Sequence, residues 1–114
     1  MTQDRTQFLA DIIIGFTEDG GLNGWRRITG YKPEQGIRSF VSFIDIEDDD
    51  KEYRVYCSTV ERGLKRIVSG EIPINTTMLG TIVLANEESD AGYIDAYDAD
   101  QIIQAGLFGE LIYG

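Results

Sequence analysis

The stretch FIDIEDDDKEYRVY places six carboxylates between Asp45 and Glu52, with Lys51 the one cation among them. So dense a run of oxygen donors invites three kinds of chemistry: holding a divalent cation, moving protons as an acid–base pair, or presenting a negative field to a partner. Calcium is the sharpest of these to test. An EF-hand loop opens on alternating acidic residues and then requires Gly at its sixth position and Glu at its twelfth. Counted from Asp45, those positions hold Asp50 and Tyr56. The pattern fails, and the run reads as the solvated tip of a hairpin. Zinc has no closed structural site to occupy, because the chain has no histidine and only one cysteine, Cys57.

Covalent catalysis lacks its usual base for the same reason, and nothing in the spacing of Ser58 and Lys65 specifies a Ser–Lys pair. Cys57 follows a run of large side chains and reads as a small buried hydrophobe. Among twenty acidic residues some carboxylate pair is inevitable, so its presence carries no information about glycoside chemistry. Neither G-x-x-x-x-G-K-[ST] nor G-x-G-x-x-G occurs, so there is no standard phosphate cradle. The expectation is a protein that is not an enzyme and uses neither metal nor cofactor.

Charge is the strongest signal. The 114 residues carry a formal net charge of −10. All ten basic residues precede Gly70, whereas residues 71–114 carry Glu71, Glu87, Glu88, Asp90, Asp95, Asp98, Asp100 and Glu110 with no cation. Self-repulsion on that scale argues against binding nucleic acid or an anionic membrane directly and makes a basic protein surface the natural complement. The residues expected to meet it are Asp48, Asp49 and Asp50 at the tip and Glu87, Glu88, Asp90, Asp95, Asp98 and Asp100 beyond it. The plainer alternative is that Asp98 or Asp100 only serves a helix N-terminus, where the macrodipole favours a carboxylate. Arg26 and Arg27 beside Trp25, and Arg62, Lys65 and Arg66 on about one helical face, are the candidate cations for a phosphate-bearing ligand, with pairing to the acidic segments as the competing use.

The elements that must position these groups follow from periodicity. Phe8, Leu9, Ile12, Ile13 and Phe16 predict a helix over residues 7–18, with Thr6 as a cap and Gly20-Gly21 past its end. WRRITGY reads as a strand, KPEQG as a reversal, and IRSFVSFIDI as a central strand with both faces largely apolar. YRVYC supplies the third strand of an antiparallel meander, which makes the acidic run its hairpin tip. Ser58 or Thr59 caps a helix carrying Val60, Leu64, Ile67 and Val68 on one face, with Gly70 suited to a left-handed stop. NTTMLGTIVLANEES reads as a helix from Asn75 or Thr76, although its β-branched Thr81, Ile82 and Val83 also tolerate a strand. A last helix starts at Asp98 or Asp100 and turns Ile102, Ile103, Leu107 and Phe108 inward. The length suits one domain, and the predicted class is α+β: a three-stranded antiparallel sheet with about four helices packed on it.

A single cysteine, the absence of a leader pattern and the absence of any apolar run of roughly 18 residues predict a cytoplasmic protein. GLNGW, VERGLKRI and the ending DADQIIQAGLFGELIYG together resemble a family of small acidic proteins encoded by bacteriophages and prophages. Its members carry a terminal D-x-D-x-I-x-Q-x-x-L-F-G-E-x-x-Y-G pattern, matched here by Asp98, Asp100, Gln104, Leu107, Phe108, Gly109, Glu110, Tyr113 and Gly114, with Gly21, Trp25, Arg62, Gly63 and Leu64 matching upstream. The resemblance implies a phage origin and no catalytic residues. It motivates the leading expectation: an inhibitor that occupies a host protein of the bacterial cytosol in an anti-defence role, as a DNA mimic. Two other expectations stand beside it. One is an assembly module that forms a homodimer through Leu107, Phe108, Leu111, Ile112 and Tyr113, and the other is a sponge for a nucleotide signal bound by Arg26, Arg27 or Arg62.

Overall fold

The computed structural model describes residues 5–18, 25–32 and 40–113. Its architecture is α+β, as the periodicities predict. Helix α1 (Arg5–Glu18) leads into strands β1 (Arg26–Lys32), β2 (Phe40–Asp45) and β3 (Lys51–Tyr56), followed by α2 (Cys57–Val68), α3 (Thr76–Glu88), a 3₁₀ turn at Ala91–Tyr93 and α4 (Ala96–Phe108). The strands form an antiparallel meander in the order β1-β2-β3, so β2 is the central strand. The Gly20-Gly21 stop, the reversal after Lys32 and residues 37–39 of the expected second strand lie outside the described residues.

Period-two alternation gives the sheet its inner face. Val41, Phe43 and Asp45 of β2 and Val55 of β3 are buried, while Lys51, Glu52, Arg54 and Tyr56 are exposed. The β2–β3 register closes on Asp45 opposite Lys51, which leaves 46–50 as the loop. Two turns build it. Asp48 N donates to Asp45 O at 3.2 Å, and Lys51 N donates to Asp48 O at 3.1 Å. The second turn places Asp49 and Asp50 at positive φ, 53° and 56°, the pattern of a primed hairpin turn that Asp tolerates better than most residues.

Helix starts differ from expectation in instructive ways. α1 already contains Arg5 and Thr6, so Thr6 is not its cap. β3 runs into α2 with no linker, so Ser58 and Thr59 fall inside the first turn, and the Thr59 hydroxyl reaches back to accept Tyr56 N at 3.2 Å. Asn75 caps α3, accepting Met78 N at 2.8 Å. α4 begins earlier than either expected start: Asp95 is its cap and accepts Asp98 N at 2.7 Å, while an Asp98 side-chain oxygen accepts Asp95 N at 3.3 Å. This reciprocal capping box absorbs the carboxylate expected to open the helix.

α4 is the centre of the molecule. All of Asp98–Gly106 is buried, because α1 and α2 pack on it and aromatic residues of the sheet meet its C-terminal end. α2 crosses it with backbone against backbone at two glycines. A β-carbon on Gly63 would lie 2.0 Å from Ile102 O, and one on Gly106 would lie 2.0 Å from Thr59 O. No side chain fits at either point. Gly63→Ala and Gly106→Ala are each expected to lose at least about 2 kcal/mol of folding stability, the overpacking cost outweighing the roughly 1 kcal/mol that alanine gains in helix propensity. Equilibrium urea unfolding monitored by circular dichroism checks this.

Candidate functional site

Two polar regions hold several of the residues singled out above, and they differ in what surrounds them. One is a network sealed inside the protein. Arg26 and Asp100 have no exposed side-chain surface and pair through Nη1 and Oδ1 at 3.2 Å. Arg26 arrives there because β1 places it across from Asp45 on the inner face of the sheet, and Asp100 because it lies on the buried stretch of α4. The guanidinium also donates from Nη2 to Phe16 O at 2.9 Å and sits 3.9 Å from the centre of the Phe16 ring. Asp100 Oδ1 accepts a further hydrogen bond from Trp25 Nε1 at 3.2 Å, and Oδ2 accepts one from Gln104 Nε2 at 3.2 Å.

Gln104, fully buried, extends the network to the segment after α4. Its Oε1 accepts Ile112 N at 2.9 Å and Tyr113 N at 2.8 Å, and its Nε2 donates to Tyr113 O at 2.8 Å. The chain reverses at Gly109, whose φ of 73° suits glycine, and returns along the core as a strap. At its far end Tyr113 stacks on Trp25 with ring centres 4.7 Å apart, and its hydroxyl donates to Asp45 at 2.9 Å. Burial, the hydrogen bond to Asp45 and the negative charges of Asp45, Asp48 and Glu47 push the Tyr113 phenol up to about 12.

The second region is the tip. Glu47, Asp48, Asp49, Asp50, Lys51 and Glu52 are all exposed. Asp48, Asp49 and Asp50 pair with no cation among the described residues. Asp45 at its base is different: only 2% exposed, it accepts Glu47 N at 3.0 Å and the Tyr113 hydroxyl, so it braces the loop from inside.

The remaining acidic residues divide the same way. Glu87 and Asp95 are exposed, and Glu88 and Asp90 are half-buried, Asp90 accepting Gly92 N at 2.9 Å to start the 3₁₀ turn. Tyr93 is raised by the charge of Glu88 and by a hydrogen bond to it. Asp98 and Asp100 are corrections. Asp98 is 8% exposed, with its carboxyl raised mainly by burial, and Asp100 is 0% exposed, so neither presents a carboxylate to a partner. Of the residues expected to form an apolar contact, Leu107, Phe108, Leu111 and Tyr113 are half-buried against the core and Ile112 is exposed.

Arg27, Lys51, Arg54 and Lys65 are exposed, whereas other cations are engaged within the fold. Arg62 Nε donates to Gly106 O at 3.0 Å, and Arg66 Nη1 donates to Ala105 O at 2.6 Å, a carbonyl that also accepts Gly109 N, so the basic face of α2 meets the negative C-terminal end of α4. Arg66 also pairs with Glu71, and Arg5 with Glu61. Cys57 is buried, and burial pushes its thiol up, away from nucleophilic character. Among the described residues no three carboxylate or thiol side chains converge to hold a metal ion, and no helix is long and apolar enough to cross a membrane.

Sequence reasoning missed Asp45, Gln101 and Gln104 as buried polar residues. A signal was present: Asp100 and Gln104 stand four residues apart on a helix whose other positions are largely small or apolar, the spacing of a polar pair sharing one face. Comparison with protein-family models, with curated proteins and with solved structures returns no match.

Removing one partner of a buried ion pair leaves an uncompensated charge, so Asp100→Asn and Arg26→Met are each expected to cost about 3–5 kcal/mol in denaturant titrations. The Tyr113 phenol, raised when folded above its ordinary value near 10, contributes stability that is complete below about pH 10 and is lost as pH rises through about 12. Tyr113→Phe removes that alkaline loss, which urea unfolding at a series of pH values detects.

Proposed function

We propose that this protein acts without catalysis, by binding and inhibiting a host protein through a basic surface, as a small phage-encoded anti-defence protein would, with DNA mimicry as the form that its charge favours. The observation that carries this reading is the exposed negative charge. Glu47, Asp48, Asp49, Asp50, Glu52, Glu87 and Asp95 stand exposed and outnumber the exposed cations Arg27, Lys51, Arg54, Arg62 and Lys65, while Arg26 is buried against Asp100. The surviving partner-binding set is therefore Asp48, Asp49, Asp50, Glu87, Glu88, Asp90 and Asp95. Braced from below by Asp45 and Tyr113, the tip holds its three aspartates in a defined turn, which lowers the ordering cost of binding. The nucleotide-sponge reading loses Arg26, which is buried and paired to Asp100; Arg27 and Arg62 are exposed, with Arg62 Nε donating to Gly106 O.

The test uses immobilised protein, clarified bacterial lysate and two ionic strengths. At about 0.1 M salt the Debye length is about 10 Å, and at about 1 M it is about 3 Å, so a partner held by surface charge is retained at the first and released at the second. Asp48→Asn, Asp49→Asn and Asp50→Asn combined in one chain keep residues that tolerate positive φ and remove three charges. This variant is expected to weaken capture at low salt by at least about tenfold. A captured protein that duplex DNA displaces supports the mimic; retention indifferent to salt and to the triple substitution removes it.

A further inference from the structure

Helix-interior glycines weaken a helix, so each asks for a reason. Among the described residues four glycines lie inside α-helices, and at two of them a neighbour leaves no room for a side chain. Gly63 and Gly106 admit the backbone of a crossing helix, and a β-carbon on Gly15 would sit 3.7 Å from the Ala99 side chain. Gly80, in the middle of α3, has nothing within 4 Å. It lies on the outer face of α3 with Thr76, Thr77, Leu84 and Glu87, all exposed, while Ile82 and Ala85 on the opposite face are buried. Leu84 is 42% exposed.

Charge narrows what can cover this face. Residues 72–86, IPINTTMLGTIVLAN, are the longest uncharged run in the chain. Two copies of a protein with a net charge of −10 repel each other, and the first three turns of α3 offer a helical surface on which they can meet without opposing carboxylates. An antiparallel meeting across Gly80 also sets the helix ends correctly. With a rise of about 1.5 Å per residue, Glu87 lies about 10 Å from the crossing and Asn75 about 8 Å on the other side, so each Glu87 reaches the positive N-terminal end of the other α3.

We propose that α3 is a self-association surface on which a second copy of this chain packs its own α3 antiparallel, crossing closely at Gly80 with Leu84 of each copy against Thr76 and Thr77 of the other. The contact is isologous, as a two-fold dimer requires. One helix pair is a small interface, so the dimer is weak and reversible. Its response to salt is opposite to that of the acidic tip, because screening relieves the repulsion between copies instead of weakening an attraction.

Sedimentation equilibrium between about 5 and about 500 µM, at about 0.1 M and about 0.5 M salt, tests this with the full chain. The expected result is a mass rising from one chain towards two, with tighter association at higher salt. Gly80→Leu fills the crossing point and is expected to weaken association by at least about tenfold while leaving the melting temperature equal or higher, since leucine favours the helix and meets no neighbour. Leu84→Asp is expected to weaken association as strongly, and the triple tip variant to leave it unchanged. A chain that stays monomeric to about 500 µM at the higher salt overturns the proposal, as does a dimer indifferent to Gly80→Leu and Leu84→Asp. Neither outcome bears on the acidic tip, whose test reads a different surface with the opposite salt dependence.

Discussion

A guanidinium and a carboxylate without exposed surface are costly to bury unless each meets the other and gathers further hydrogen bonds. Arg26 and Asp100 do so by drawing in groups from across the chain: Phe16 O from α1, the Trp25 indole beside β1, and Gln104 one turn along α4. Gln104 then fixes the backbone of Ile112 and Tyr113, and Tyr113 closes on Trp25 and Asp45. The helix, the sheet and the strap thus share one set of hydrogen bonds. An apolar core of the same shape would tolerate small slips of α4 along its axis, whereas this network has one arrangement in which its members are mutually satisfied.

The network also explains a sequence pattern that reads at first as a binding motif. In DADQIIQAGLFGELIYG, Asp98 completes a capping box, Asp100 meets Arg26, Gln104 holds the strap, Gly109 turns the chain, and Tyr113 locks its end. Close backbone crossing at Gly63 and Gly106 brings α2 near enough for Arg62 and Arg66 to reach the last carbonyls of α4. These are architectural duties. What they leave outside includes the exposed hairpin tip at 46–50 and the exposed face of α3 around Gly80 and Leu84.

Local pattern was enough for most of the elements. Apolar spacing located α1 and α2, the start signal at Asn75 or Thr76 located α3 with a strand left open, alternation located β2, and aromatic and β-branched residues located β3, which made the acidic run between them a hairpin tip. Boundaries moved where a neighbouring element intervened: β3 feeds α2 directly, and Asp95 took the capping role that Asp98 or Asp100 was expected to fill. The Ala91–Tyr93 turn had no periodicity to announce it.

The candidate site was less legible, and for a physical reason. Charge and composition belong to the sequence by itself: a net charge of −10, no histidine, one cysteine and every cation before Gly70 bounded the chemistry before any coordinate was known. Which carboxylates face water depends on contacts between residues up to 75 positions apart, such as Trp25 with Asp100. Asp100 and Asp95 look alike in sequence, yet one is sealed under Arg26 and the other is exposed at a helix cap. The sequence therefore determined the number and sign of the charges, and only the tertiary structure decided which were paired inside and which were left exposed, because burial is settled by long-range packing that no local pattern encodes.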